Sequence, residues 1–201
     1  MAAGRCRSSR ALAWSACGLL RWGGSVTTLA EVPVAFCESS DYETGLLGVA
    51  VDPDFVENGH LYLYRTATGE GGPCAYRDTT RFNEVVRVTM TEGVEEGGGP
   101  SVDLGSLVVL LSGIRTDTPY HCGGGLRFGP DGMLHVSTGD TGLGNFEELG
   151  PGTSTNPYAD DLTALEGKLL RLAPDGSVLP GCPRAYPAAL GPAARAPIGS
   201  A

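Results

Sequence analysis

The chain has 201 residues, of which 41% are hydrophobic, and its 23 acidic and 14 basic residues give a formal net charge of −9. This acidic balance argues against a nucleic-acid or anionic-membrane partner and suits a neutral ligand or a cation. No apolar run approaches the ~20 residues of a transmembrane helix, so the sequence predicts no membrane span.

The N-terminal residues 1–24 match no repeated element and are unassigned or signal-like. Arginines precede the apolar stretch Ala11–Leu20, as in a secretion signal, but no clear small-residue cleavage site follows it. A signal in this position would imply an extracellular or periplasmic location.

Residues 25–180 predict short antiparallel strands joined by turns that contain Pro-Asp. "SVTTLAEV" (25–32) is expected to end one unit. The following strands are expected in two units of four, near 46–51, 60–66, 84–90 and 107–112, then near 124–129, 133–138, 167–172 and 176–179. The Pro-Asp pairs at 130 and 174 recur at the spacing of one propeller blade. The fold class is therefore all-β: a β-propeller fragment of about two four-stranded antiparallel blades.

Alternating apolar positions predict the core of these two units. The residues expected to contribute are Leu47, Val49, Leu61, Leu63, Leu126, Phe128, Leu134, Val136, Leu169 and Leu170. Residues 181–201 form an Ala/Pro/Gly-rich tail with few core-forming side chains, and they are expected to be disordered or foreign to the fold.

The six cysteines show no CxxC pair and no spacing to histidine that is typical of zinc sites. Cys37 and Cys74 flank one apolar hairpin, so an oxidising compartment would allow a disulfide between them. Free buried thiols explain the same residues equally well.

The segment "PYHCGGGLRFGPDGMLHVSTGD" (119–140) contains the strongest candidate site. Pro130, Asp131 and Gly132 predict a hairpin turn, and a hairpin returns the end of its second strand to the start of its first. His121 and Asp140 are therefore expected at the same end of the hairpin, where a carboxylate would orient an imidazole base. An exposed loop histidine beside a turn-forming aspartate is the structural alternative.

Other motifs are rejected. The glycines 123–125 lack the last glycine of GxGxxG and precede a strand rather than a helix. In "DPDFVENG" the glycine falls at the wrong loop position for an EF-hand. The chain has no GxSxG nucleophile elbow.

Four segments resemble the glucose/sorbosone dehydrogenase family, in order and with like spacing: "GLLGVAVDPDFVENGHLYLYRT", "NEVVRVTM", "YHCGGGLRFGPDGMLHVSTGD" and "GKLLRLAPDG". The resemblance covers about residues 25–180 and implies a six-bladed propeller. It also implies oxidation of the anomeric hydroxyl of an aldose with pyrroloquinoline quinone (PQQ) and calcium as cofactors. By the same resemblance, His121 is the catalytic base, Asp140 supports it, and Glu43 and Asn145 face the quinone.

The family's Arg-Asn segment, which grips the quinone carboxylates, and its calcium-binding carbonyls would follow residue 180, where the Ala/Pro/Gly-rich tail stands instead. The resemblance therefore implies a chain truncated at both ends and of doubtful activity. A non-catalytic propeller module that binds a ligand or a protein is the alternative from another class. A calcium-dependent propeller hydrolase is a weaker one.

Overall fold

The structure is a computed structural model, and it describes residues 14–20, 26–35, 43–68, 80–91, 99–142, 156 and 158–177. Within these ranges lie one short helix and nine strands. The elements are β1 Trp14–Leu20, β2 Val26–Pro33, β3 Leu46–Val51, α1 Phe55–Asn58, β4 His60–Thr68, β5 Arg81–Thr91, β6 Ser101–Arg115, β7 Gly123–Phe128, β8 Leu134–Thr138 and β9 Leu169–Leu172. In the described part of the chain, no helix is long and apolar enough to cross a membrane.

The strands form three antiparallel sheets that follow the chain order. β1 pairs with β2, β3 to β6 form a four-stranded central sheet in the order β3-β4-β5-β6, and β7, β8 and β9 form a third sheet. The all-β prediction is confirmed, and the first predicted four-stranded unit corresponds to the central sheet.

Strand β4 is buried on both faces of the central sheet, and it alternates leucine and tyrosine along its length. Leu61 and Leu63 point to one face and Tyr62 and Tyr64 to the other, all at most 7% exposed. The leucine face packs against residues from β2, including Val32. The tyrosine face packs against the third sheet. Sheets stacked face to face in chain order are the arrangement expected of successive propeller blades.

The turn between β7 and β8 has the predicted chemistry. The Asp131 side chain accepts a hydrogen bond from the amide of Met133, two residues on, and Gly132 adopts a positive φ of 73°. The guanidinium of Arg171 on β9 also donates two hydrogen bonds to the Asp131 carboxylate. The turn is thereby joined to the third strand of its own sheet.

Two of the expected core residues are exposed. Val49 is 56% exposed because β3 and β6 lie at opposite edges of the central sheet, and β2 packs against β6. Leu169 is 73% exposed because strand alternation directs its neighbour Leu170 into the core instead. The other eight are buried or pack partly buried against a core.

The structure also differs from the expected elements at both ends. β1 is a strand that the sequence analysis did not assign; its apolar run was consistent with several elements, and periodicity does not separate them. The third sheet has three strands in the described ranges, since Gly176 and Ser177 are not in a strand. Cys37, Cys74 and the tail 181–201 lie outside the described residues.

Candidate functional site

The site lies where the first strands of two neighbouring sheets, β3 and β7, approach each other. A Cβ on Gly48 would overlap the carbonyl oxygen of Gly124, and a Cβ on Gly124 would press on Leu47. Glycine at both positions lets the two backbones come this close. The residues that precede β3 and β7 are therefore brought to one end of the assembly.

His121 and Asp140 face each other at this end. His121 stands two residues before β7 and Asp140 two residues after β8, and these strands pair Gly123 with Thr138. The His121 Nδ1 atom lies 2.8 Å from Asp140 Oδ1. The predicted contact is present.

The geometry of the pair suits a base. Asp140 Oδ1 also accepts the amide of Gly142 at 3.0 Å, which fixes the carboxylate in place. In a neutral imidazole that donates from Nδ1 to a carboxylate, Nε2 is the acceptor nitrogen. The side chains of His121 and Asp140 are 43% and 30% exposed, so a ligand can reach them from solvent.

The backbone around the pair is under local strain. His121 and Thr141 are the non-glycine residues with positive φ in the described ranges, at 52° and 67°. A left-handed conformation costs a residue with a Cβ roughly 1–2 kcal/mol, and such residues cluster at functional sites. His121 forms the contact itself, and Thr141 directly follows its partner Asp140.

Glu43 lies beside His121 and Asp140. It was expected to face a quinone, and in the structure its carboxylate bonds the protein backbone. Its Oε2 accepts the backbone amide of His121 at 2.7 Å, and its own amide donates to the carbonyl of Pro119 at 2.8 Å. Glu43 therefore ties the start of β3 to the segment that carries the histidine. Its role toward a quinone stays a prediction, and Asn145 lies outside the described residues.

The sequence analysis missed Asn156, which contacts the carbonyl oxygen of Asp140 through its side-chain Nδ2 at 2.6 Å. Its Oδ1 accepts the amide of Tyr158, so the loop folds around this side chain. Lys168 closes the loop by donating to the carbonyls of Tyr158, Ala159 and Glu166 at 2.7–3.0 Å. An asparagine that bonds the amide two residues on is a local turn signal, but the sequence does not reveal its contact with Asp140.

The described residues do not fit a complete cofactor site. No group of three or more His, Cys, Asp or Glu among them could hold a metal ion. Glu43 and Asp140 place two carboxylates against His121, whereas a quinone that carries carboxylates requires cationic partners.

Comparison with known proteins agrees with this arrangement. The sequence profile of the Glucose / Sorbosone dehydrogenase family matches residues 16–192. Quinoprotein glucose dehydrogenase B of Acinetobacter calcoaceticus is 29% identical over 163 residues, which cover 77% of this chain and 32% of that protein. The human Hedgehog-interacting protein is 33% identical over 135 residues, covering 66% of this chain and 17% of that protein.

Among solved structures, the PQQ-bound form of aldose sugar dehydrogenase from Streptomyces coelicolor matches with 30% identity and a TM-score of 0.57. The match covers 80% of this chain and 39% of that one. The chain thus spans between about a sixth and two fifths of the length of these relatives. It belongs to the glucose/sorbosone dehydrogenase family and forms part of that family's β-propeller.

Proposed function

We propose that this chain supplies the catalytic base of a sugar dehydrogenase that oxidises the anomeric hydroxyl of an aldose. The observation that carries the proposal is the 2.8 Å contact between His121 Nδ1 and Asp140 Oδ1 at the mouth of the β7–β8 hairpin. A carboxylate in this position holds the imidazole in one tautomer and stabilises the charge that it gains with a proton.

Oxidation of an anomeric C–OH to a C=O removes one proton from oxygen and one hydride from carbon, and a quinone cofactor bound by the whole protein would accept the hydride. His121 takes the proton through Nε2, and Asp140 stabilises the resulting imidazolium. The Gly142 amide donates to the Asp140 carboxylate, and the Asn156 side chain donates to the backbone carbonyl of Asp140. These contacts keep the carboxylate aligned as the charge develops, which is a positioning and electrostatic contribution.

For the whole protein we propose PQQ with calcium as the cofactor, since a relative is described as PQQ-bound and another as a quinoprotein. Of the two residues predicted to face the quinone, Glu43 is described and Asn145 lies outside the described residues. An extracellular or periplasmic location is part of the same proposal, and N-terminal sequencing of the secreted protein tests it. Cleavage after Leu20 would remove the strand β1 that pairs with β2.

The experiment is a graft. Residues 26–177 replace the matching segment of the Streptomyces coelicolor aldose sugar dehydrogenase, and the chimera is loaded with PQQ and calcium and assayed by dye reduction with aldoses. His121→Gln should lower kcat/KM by at least about 10²-fold, the usual contribution of a positioned base. His135→Gln is the matched control, because His135 lies beside Asp131 at the other end of the hairpin, and it should change the rate less than about twofold. A folded chimera in which both variants turn over alike would refute the proposal.

A second candidate function is supported by the match to the Hedgehog-interacting protein. On this alternative the chain is a propeller module that binds a protein and performs no chemistry. The graft distinguishes the two functions, since a binding module would give a folded, cofactor-loaded chimera whose activity does not depend on His121.

A further inference from the structure

The carbonyl oxygen of Cys122, the residue that follows His121, accepts two hydrogen bonds from the neighbouring sheet. The Tyr64 hydroxyl on β4 donates to it at 2.9 Å and the Asn83 amide on β5 at 3.1 Å. All three residues are at most 2% exposed. Burial in these surroundings raises the pKa of the Tyr64 hydroxyl, which therefore remains a donor across the neutral range.

A series of hydrogen bonds leads from this contact through the central sheet to the residues before β3. Asn83 Oδ1 accepts the Thr66 hydroxyl at 2.8 Å, and Thr66 Oγ1 accepts the amide of Gly45 at 3.2 Å. Gly45 lies two residues after Glu43, whose carboxylate accepts the amide of His121. The histidine segment is therefore bonded to the central sheet on both sides of His121, once through Glu43 and once through this buried relay.

The backbone conformation makes this support necessary. His121, Gly123 and Gly124 all have positive φ, so the chain does not follow a regular strand path across Cys122. A buried carbonyl without a partner costs about 1–3 kcal/mol, and here side chains from another sheet supply the partners. The left-handed conformation of His121 persists only where its surroundings determine it.

We propose that Tyr64 and Asn83 are positioning residues, which hold His121 in line with Asp140 from across the interface between the central and third sheets. The proposal rests on the proposed function for its catalytic meaning, but the alignment itself is measurable without turnover. Both side chains bond the backbone carbonyl of Cys122, so each would act on His121 through the backbone.

Tyr62 provides a matched control on the same strand. It is as buried as Tyr64, and its hydroxyl donates to Asp52, which follows β3, at 2.7 Å and to the carbonyl of Pro174, which follows β9 of the third sheet, at 3.1 Å. These partners lie at the opposite end of β3 from Glu43. Tyr62→Phe and Tyr64→Phe therefore remove equivalent buried hydroxyls, and only the second removes a contact next to His121.

The test is the imidazole ¹⁵N and ¹³C spectrum of residues 1–201 labelled at histidine, with the three histidines assigned by single His→Gln variants. Tyr64→Phe should shift the His121 resonances, and Tyr62→Phe should leave them at their wild-type positions. Thr66→Val, which removes the hydroxyl that holds Asn83, should shift them in the same direction, and it decides the matter if Tyr64→Phe does not fold. His121 resonances that stay unchanged in the folded Tyr64→Phe protein, or that move equally in Tyr62→Phe, would overturn the proposal.

The kinetic counterpart uses the grafted dehydrogenase. Tyr64→Phe should lower kcat about tenfold with little change in KM, since a misaligned base affects the transition state rather than ground-state binding. If the resonances shift as expected but the graft does not depend on His121, the positioning stands and the proposed function fails. If the graft depends on His121 but the resonances do not shift, the positioning fails and the proposed function stands.

Discussion

The backbones of Gly139 and His121 lie close together where the two ends of the β7–β8 hairpin meet. A Cβ on Gly139 would overlap the carbonyl oxygen of His121, a backbone atom that has no room to move aside. We expect Gly139→Ala to destabilise the protein by about 1–3 kcal/mol, as overpacking does, and to separate His121 from Asp140.

The measurement is urea unfolding, with Gly99→Ala as the control because a Cβ there meets nothing within 4 Å. The control should change the unfolding free energy by no more than about 1 kcal/mol. Equal free energies for the two alanine variants would contradict the close approach of these two backbones.

The buried thiol of Cys122 should make the stability of the folded protein depend on pH. Burial raises the pKa of its thiol from 9.0 to about 11, so between these values the folded state keeps a proton that the unfolded state releases. Stability must then fall as pH rises from about 9 towards 11, and at pH 10 the expected loss is about 1 kcal/mol. Urea unfolding from pH 8 to pH 10 should show this slope, and Cys122→Ala should flatten it. A slope that survives the substitution would show that the buried thiol is not its source.

At the scale of elements, the sequence predicted the strands and turns well because their signals are local. Alternation located β3 to β5, and the Pro-Asp-Gly turn has the predicted hydrogen bond and positive φ. The contact of His121 with Asp140 followed from the same hairpin geometry. Val49 was assigned wrongly because its exposure depends on which neighbour covers that face of β3, and that is a tertiary property. Leu169 was assigned wrongly because adjacent strand residues face opposite sides and Leu170 takes the core side.

The contacts of Asn156 were likewise not predictable from local sequence signals. Asn156 binds the Asp140 carbonyl from 16 residues away, and nothing in the local pattern indicates this partner. The Tyr64 and Asn83 contacts with Cys122 bridge 58 and 39 residues and two sheets, so they too were beyond sequence reasoning.

Asn156→Ala is expected to weaken the support of Asp140 and to lower kcat of the grafted dehydrogenase about tenfold. Asn58→Ala is the control, since Asn58 also accepts a backbone amide two residues on, that of His60, but at the far end of the central sheet. Comparable kcat values for the two variants, both folded by circular dichroism, would show that Asn156 serves its loop alone.

At the scale of the whole molecule, the three sheets bring β3 and β7 together, and the candidate base lies at the end of this junction. A propeller's central pocket is built from the loops of all its blades. On the proposed function, the described residues would provide the proton-accepting side of such a pocket, and among them no group of three or more His, Cys, Asp or Glu could hold a metal ion. We therefore predict little or no turnover by residues 1–201 alone when PQQ and calcium are added.

The central claim is that His121 and Asp140 act as one catalytic unit, and a double-mutant cycle on kcat/KM of the grafted dehydrogenase tests it most directly. His121→Gln should cost about 10²–10⁴-fold and Asp140→Asn at least about tenfold. The double variant should be no slower than His121→Gln alone, within about threefold, because the carboxylate acts only through the imidazole. Losses that multiply, or a His121→Gln enzyme within a few-fold of the parent, would contradict the account.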